Sequence, residues 1–262
     1  MASKRSNAGK RDTQVKLGAF GKSDWLDLSE YLVHFTKGSE TSDGYQAMMS
    51  ILASGRLRRG DAPFGLGKSV KALRESQRVV CFSETPLGFL KRLVLRRKSP
   101  FGIGFHKRFL LEKGAAPLWY LQRGTPQHAA MMTLIKRAKT PLDPTDPVWN
   151  LTPFIDAPGP RPFDNDFRWE REWRLRADLD FHVDDVAFLF IPENRHSDAW
   201  AFFHDAEREN LGPAYKCPYL DGTWDPERVA AGLEAAKHRI TPPALRRHIS
   251  LSWVDDLITQ MK

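Results

Sequence analysis

The chain has 262 residues, of which 41% are hydrophobic and 11% aromatic, enough to bury a substantial core and too much for a disordered polymer. No apolar run approaches the ~20 residues that a membrane-spanning helix needs, and the first 24 residues carry basic side chains without the apolar core of a signal peptide. The formal charge of +8 is uneven: Met1–Lys22 holds six basic residues and one acidic, Arg56–Gly114 fifteen and four, and the remainder is net negative.

Positive charge concentrated in this way attracts phosphates, from nucleic acid down to a dinucleotide, or simply keeps a helical surface solvated. The two cysteines, Cys81 and Cys217, are far apart with no metal-ligand spacing. They read as free buried thiols in a reducing compartment, so a cytoplasmic protein is expected.

In chain order, residues 1–23 read as a flexible basic tail. Tyr31–Phe35 is apolar and strand-like. Tyr45–Leu52 reads as a helix with Tyr45, Met48, Met49 and Leu52 on one face, stopped by Gly55. Arg78–Ser83 has the β-branched and aromatic content of a buried strand, and Pro86 can open a helix reaching Arg97. In Phe101–Phe105, glycine alternates with large apolar residues, which points to a strand approached closely by another group. A helix at Lys107–Glu112, a strand at Pro117–Leu121 and an amphipathic helix at Gln127–Lys139 follow.

Seven prolines between Pro141 and Pro162 argue against regular structure there and for a functional loop or lid. Val186–Ile191 is a further strand, Ser197 can cap a helix over 197–210, and helices are expected at Pro226–Lys237 and near Leu251–Met261. The mixture points to an α+β class, with one domain over 24–212 and a helical C-terminal extension over 213–262.

Phosphate-binding GxxxxGK[ST], HExxH, paired CxxC and GxSxG motifs are all absent. Gly102-Ile103-Gly104 is only part of a dinucleotide fingerprint. The stretch Phe167–Arg176 is more informative. As a strand it places Trp169, Arg171, Trp173 and Leu175 on one face and Arg168, Glu170, Glu172 and Arg174 on the other. As a helix it is an ordinary run of i,i+4 charge pairs. His34, inside an apolar run, is either a ligand-binding group or a satisfied core histidine.

Three stretches taken together are more specific: Tyr31-Leu32-Val33-His34-Phe35-Thr36, then Cys81-Phe82-Ser83-Glu84-Thr85-Pro86-Leu87, then Glu170-Arg171-Glu172-Trp173-Arg174. A histidine ending a first strand, a Ser-x-Thr and a late Glu-x-Glu, spaced by about 50 and about 90 residues, resemble the motif order of mono-ADP-ribosyltransferases. His34–Lys37, Ile51–Gly55, Val80–Leu87, Phe101–Lys107 and Arg171–Arg174 resemble the bacterial abortive-infection AbiGi family over about Tyr31–Ile191.

These resemblances imply a split mixed β-sheet core with flanking helices, NAD as substrate, and a phage-defence or toxin–antitoxin role with a cognate partner protein. They make Glu172 the residue that stabilises the oxocarbenium charge as nicotinamide leaves, and Glu170 the one that orients or deprotonates the acceptor. Ser83 and Thr85 would fix Glu172 or the ribose, His34 and Thr36 would meet the cofactor, Tyr45 would stack on nicotinamide or pack in the core, and Arg56, Arg58 and Arg59 would meet the pyrophosphate. The basic region Arg56–Gly114 would dock a nucleic-acid target. Two other readings stand beside this one. The chain is a non-catalytic antitoxin or sensor of the same fold, or a metal-dependent nuclease using Asp164, Asp166, Glu170 and Glu172.

Overall fold

A computed structural model describes residues 29–38, 43–84, 86, 89–159 and 168–237. The expected basic tail and terminal helix lie outside those residues, as do Thr85, Asp164 and Asp166.

The chain enters through β1 (Tyr31–Phe35) and α1 (Gly44–Ser54). The Asp43 carboxylate accepts from the Gln46 N–H at 2.7 Å while the Gln46 side chain accepts from the Asp43 N–H, a reciprocal cap. Gly55 closes the helix at φ 59°, a left-handed conformation that glycine adopts without a Cβ penalty. Then come β2 (Arg56–Leu57), a 3-10 turn at Lys71–Gln77, β3 (Val80–Glu84), α2 (Leu90–Arg97), β4 (Gly102–His106) and α3 (Lys107–Glu112).

The single strand expected at 117–121 is instead two short ones, β5 (Ala116–Pro117) and β6 (Trp119–Tyr120), which pair with different partners. After α4 (Pro126–Lys139) the proline-rich stretch is more ordered than expected. It forms α5 (Val148–Leu151), a 3-10 turn at Thr152–Phe154 and β7 (Ile155–Asp156). Trp149 and Ile155 are buried within it, and that apolar burial holds a proline-rich segment against the body.

The remaining elements are β8 (Glu172–Leu175), β9 (Leu179–Asp180), β10 (Val186–Phe190), α6 (His196–Arg208), β11 (Tyr219–Leu220) and α7 (Pro226–Lys237). Ser197 does not cap α6. Arg195 holds that position without a side-chain cap bond, and Ser197 lies inside the first turn.

Seven strands form one mixed sheet in the order β11-β10-β4-β1-β3-β8-β5, with β10 and β11 parallel and the other neighbours antiparallel. Among the described residues this sheet is continuous where a split one was expected; the ribbons β2–β9 and β6–β7 stand beside it. The C-terminal stretch expected as a purely helical extension supplies the edge strand β11 as well as α7.

Period-two alternation assigns the sheet's faces. One face carries Leu32, Phe82, Phe105, Trp173 and Leu189 into a core with Met48 and Leu52 of α1, Leu110 of α3 and Phe203 of α6. The other carries Tyr31, Val33, Phe188 and Phe190 against Leu90 of α2 and Val229 and Leu233 of α7. The expected close approach in β4 is real: a Cβ on Gly104 would lie 2.4 Å from the Phe188 ring.

Candidate functional site

The sheet order makes the strands of the three informative stretches neighbours, β1-β3-β8. Val33 lies opposite Ser83, and Ser83 opposite Glu172. Directly opposed residues of antiparallel strands share a face, so Ser83 and Glu172 point the same way, toward α2.

Ser83 is fully buried, and its hydroxyl accepts from the Arg97 guanidinium at 2.9 Å. Arg97, at the last turn of α2, also forms an ion pair with Glu170. Glu170 reaches this point from a 3-10 turn, Arg168–Glu170, not from an extended strand. Arg171 then takes φ 44° and swings the chain into β8. The alternation expected across 168–176 therefore holds only from Glu172 onward. Trp173 is buried as expected, while Trp169 is half-buried at the turn.

Glu172 and Arg174 project from the same face of β8 and form a two-pronged pair, Nε to Oε1 at 2.8 Å and Nη2 to Oε2 at 3.2 Å. Arg174 also donates to the Pro153 carbonyl at 2.5 Å, and its guanidinium lies 5.0 Å from the Phe64 ring centroid. These side chains are 9% and 3% exposed, which makes them a desolvated ion pair whose value depends on both partners being present.

The electrostatics divide the two carboxyls. Burial raises the pKa of Glu170; Arg97 opposes this, and the nearby Glu172 charge adds to it. Burial, then Glu172 and Glu170, push the Tyr120 phenol up. Burial and Glu172 likewise push the Cys81 thiol up, so it remains a thiol and a poor nucleophile. A carboxyl whose neutral form burial favours, beside a second carboxyl held by a guanidinium, is a pattern suited to proton transfer.

The other expected residues are less convergent. Alternation along β1 places His34 with Leu32, on the face opposite Val33 and Ser83. Its Nδ1 is 2.9 Å from the Cys81 carbonyl and its ring meets Phe82 edge-on. Burial holds its pKa below the usual histidine value, with Arg97 contributing. The neutral imidazole thus donates from Nδ1, because a carbonyl only accepts. The Thr36 hydroxyl donates to the Gly44 carbonyl at 2.6 Å, closing the entry to α1. Tyr45 packs against Phe101, with the Arg195 guanidinium 5.1 Å from its ring centroid. Arg56 and Arg59 both pair with Asp178, and Arg56 also with Asp180; Arg58 is exposed. Thr85 lies outside the described residues.

The acidic residue within Ser83-Glu84-Thr85 has a structural task. Glu84 is buried, and it accepts from Lys107 Nζ at 2.6 Å, from Trp173 Nε1 at 2.9 Å and from the Ser29 N–H at 3.3 Å. Sequence reasoning missed Arg97 and Tyr120, whereas pairing of the glutamates with neighbouring arginines belongs to the antitoxin or sensor reading and Arg174 realises it for Glu172. Only the cationic content of α2 hinted at Arg97. Among the described residues, no three histidine, cysteine or carboxylate side chains are placed to hold a metal, and no helix is long and apolar enough to cross a membrane. Comparison with family models, with curated proteins and with solved structures returns no match for this chain.

Proposed function

We propose that the chain transfers ADP-ribose from NAD to a macromolecular acceptor, with Glu172 and Glu170 as the working carboxylates. The observation that supports this reading is the register of β1-β3-β8, in which Ser83 opposes Glu172 while Arg97 draws Glu170 to the same place. Arg97 Nε is buried with no hydrogen-bond partner among the described residues. Such a donor suits a ligand oxygen.

In this reaction the bond between nicotinamide and ribose C1′ breaks, and nicotinamide leaves neutral with the bonding electrons. The fixed negative charge of Glu172 stabilises the oxocarbenium character left on the ribose. The acceptor attacks C1′ and loses its proton to Glu170, whose raised pKa makes it a stronger base when ionised than an ordinary carboxylate. The fold would then be of the ADP-ribosyltransferase kind and the cellular role one of phage defence, both carried by the motif resemblance. A cytoplasmic location follows from the same reading.

A second reading is supported by one observation. Both Glu172 oxygens are engaged by Arg174, which is itself tied to Pro153. In a non-catalytic antitoxin or sensor module that pair would serve as a strut, and the surface would bind a cognate protein or nucleic acid.

The experiment is nicotinamide release from labelled NAD by the full chain, with calorimetric titration of NAD alongside. The parent releases nicotinamide and Glu170→Gln is slowed about 10²–10⁴-fold, the usual contribution of a positioned acid–base group. Absence of both release and binding in the parent discards the transferase reading in favour of the module.

A further inference from the structure

Helix α2 carries four basic side chains, Lys91, Arg92, Arg96 and Arg97, and no acidic one. Its inner side buries Leu90, Leu93 and Val94, and outside stand Lys91, Arg92, Leu95 and Arg96, followed by Lys98. Several arginines elsewhere have carboxylate partners: Arg56 with Asp178, Arg78 with Asp61, Arg108 with Glu112, Arg228 with Glu193. Lys91, Arg92, Arg96 and Lys98 have none among the described residues. Phe89, Arg92 and Arg96 follow one another at i, i+3 and i+7, the spacing of one helical stripe. Phe89 is 57% exposed, a large apolar surface at the head of a cationic row.

That row ends at a cavity of about 190 Å³. Phe89 and Trp169 supply aromatic walls, Arg92 and Arg171 supply guanidiniums, and Glu84 also lines the space. The space is smaller than the ~300–1,000 Å³ of a drug-sized ligand site and is of the scale of a single ring system. It is also close to the carboxylate site. Arg92 and Arg97 are five residues apart on one helix, about 7.5 Å along its axis.

We propose that the outer face of α2 and this cavity together bind single-stranded nucleic acid, the backbone lying along Arg92, Arg96, Lys91 and Lys98 and one unstacked base entering between Phe89 and Trp169. Charge complementarity selects a polyanion, and the aromatic walls select one that carries rings. A duplex keeps its bases stacked and cannot offer one without first being opened. An acidic peptide or an anionic membrane would match the cations and leave the aromatic walls without a partner. The inference deepens the transferase reading by naming the acceptor's docking surface, and rests on that reading only in calling the strand an acceptor. Binding is measured without NAD, so the two can fail separately.

The test is fluorescence anisotropy of the full chain with a labelled single strand of about twelve nucleotides, within the range one such site spans, and with its duplex, across a salt series. Arg92→Glu/Arg96→Glu alters exposed side chains and should leave the thermal midpoint unchanged. It weakens binding and lowers the slope of log K against log salt by about 1.4, two single-strand phosphate contacts. Phe89→Ala and Trp169→Leu each weaken binding about 5- to 150-fold, the worth of one stacked base, and leave the salt slope as it was. The single strand binds more tightly than the duplex. Unchanged affinity in Phe89→Ala and Trp169→Leu, equal affinity for duplex, or no effect of the charge reversal overturns the proposal.

Discussion

Replacing Glu172 by glutamine is nearly isosteric, yet it should cost stability as well as activity. The carboxylate is 9% exposed and meets a guanidinium that is 3% exposed. Removing the charge leaves Arg174 buried beside a neutral amide, and breaking such a pair on one side costs about 3–5 kcal/mol. Glutamine keeps one acceptor oxygen for Arg174 Nε, and Pro153 and Phe64 still hold the guanidinium, so the lower end, about 3 kcal/mol, is expected. At about 2–4 °C per kcal/mol for a domain of this size, the midpoint falls by about 6–12 °C.

Thermal unfolding followed by circular dichroism measures this directly, with Arg174→Met and the double variant Glu172→Leu/Arg174→Met completing the set. The double variant should recover much of the loss, because no buried charge remains without its partner. A Glu172→Gln midpoint within about 2 °C of the parent, or a double variant as unstable as the two single losses added together, would refute the strut. Glu170→Gln is the cleaner probe of chemistry, since burial already disfavours the charge that this change removes.

Gly104→Ala places a Cβ 2.4 Å from the Phe188 ring; a loss of about 1–3 kcal/mol is expected in urea unfolding, partly recovered by Phe188→Leu in the same chain. Lys107→Met leaves the buried Glu84 carboxylate without its cation. It should destabilise by about 3–5 kcal/mol in urea unfolding at neutral pH. Hydrogen bonds from the Arg59 backbone N–H and then the Arg56 guanidinium hold the Asp178 pKa at about 2, below its ordinary 3.8. Its stabilising contribution is therefore present above pH 3.8 and lost as pH falls through about 2, and Asp178→Asn should flatten that limb of a stability–pH curve. Glu170 acts in the opposite sense: its raised pKa makes stability decline as pH rises above its ordinary 4.5.

Elements with local signals were legible in the sequence. Tyr31–Phe35 is a strand as expected, α1 stops at Gly55, and α3 and α7 cover the expected residues. The closeness implied by Gly104 is realised because Phe188 fills the space. What escaped depends on tertiary register or on rare backbone states. Nothing marks Arg171 for a positive φ, so the start of β8 and the path of Glu170 could not be read from alternation. His34 looked like a site residue because it ends an apolar strand. Its face is set by which residue of β1 opposes Ser83, and that residue is Val33. Arg97 pairs with a residue 73 positions away, a separation that no local pattern encodes. The proline count over 141–162 argued against regular structure, yet short elements form within 148–156 and Trp149 and Ile155 anchor them.

The strand order also fixes a sequence of assembly. Among the described residues β1 is the first strand made, and it lies at the middle of the sheet between β4 and β3, so the central trio is complete once His106 has been made. β8 arrives much later, with Glu170 and Glu172. A nascent chain that has released α2 therefore holds Arg97 and Ser83 without the acids that complete them, and the β3 edge waits unpaired. The same distance in sequence delays the pairing of Arg97 with Glu170 during synthesis: on the transferase reading, any chemistry there waits until β8 has closed that edge.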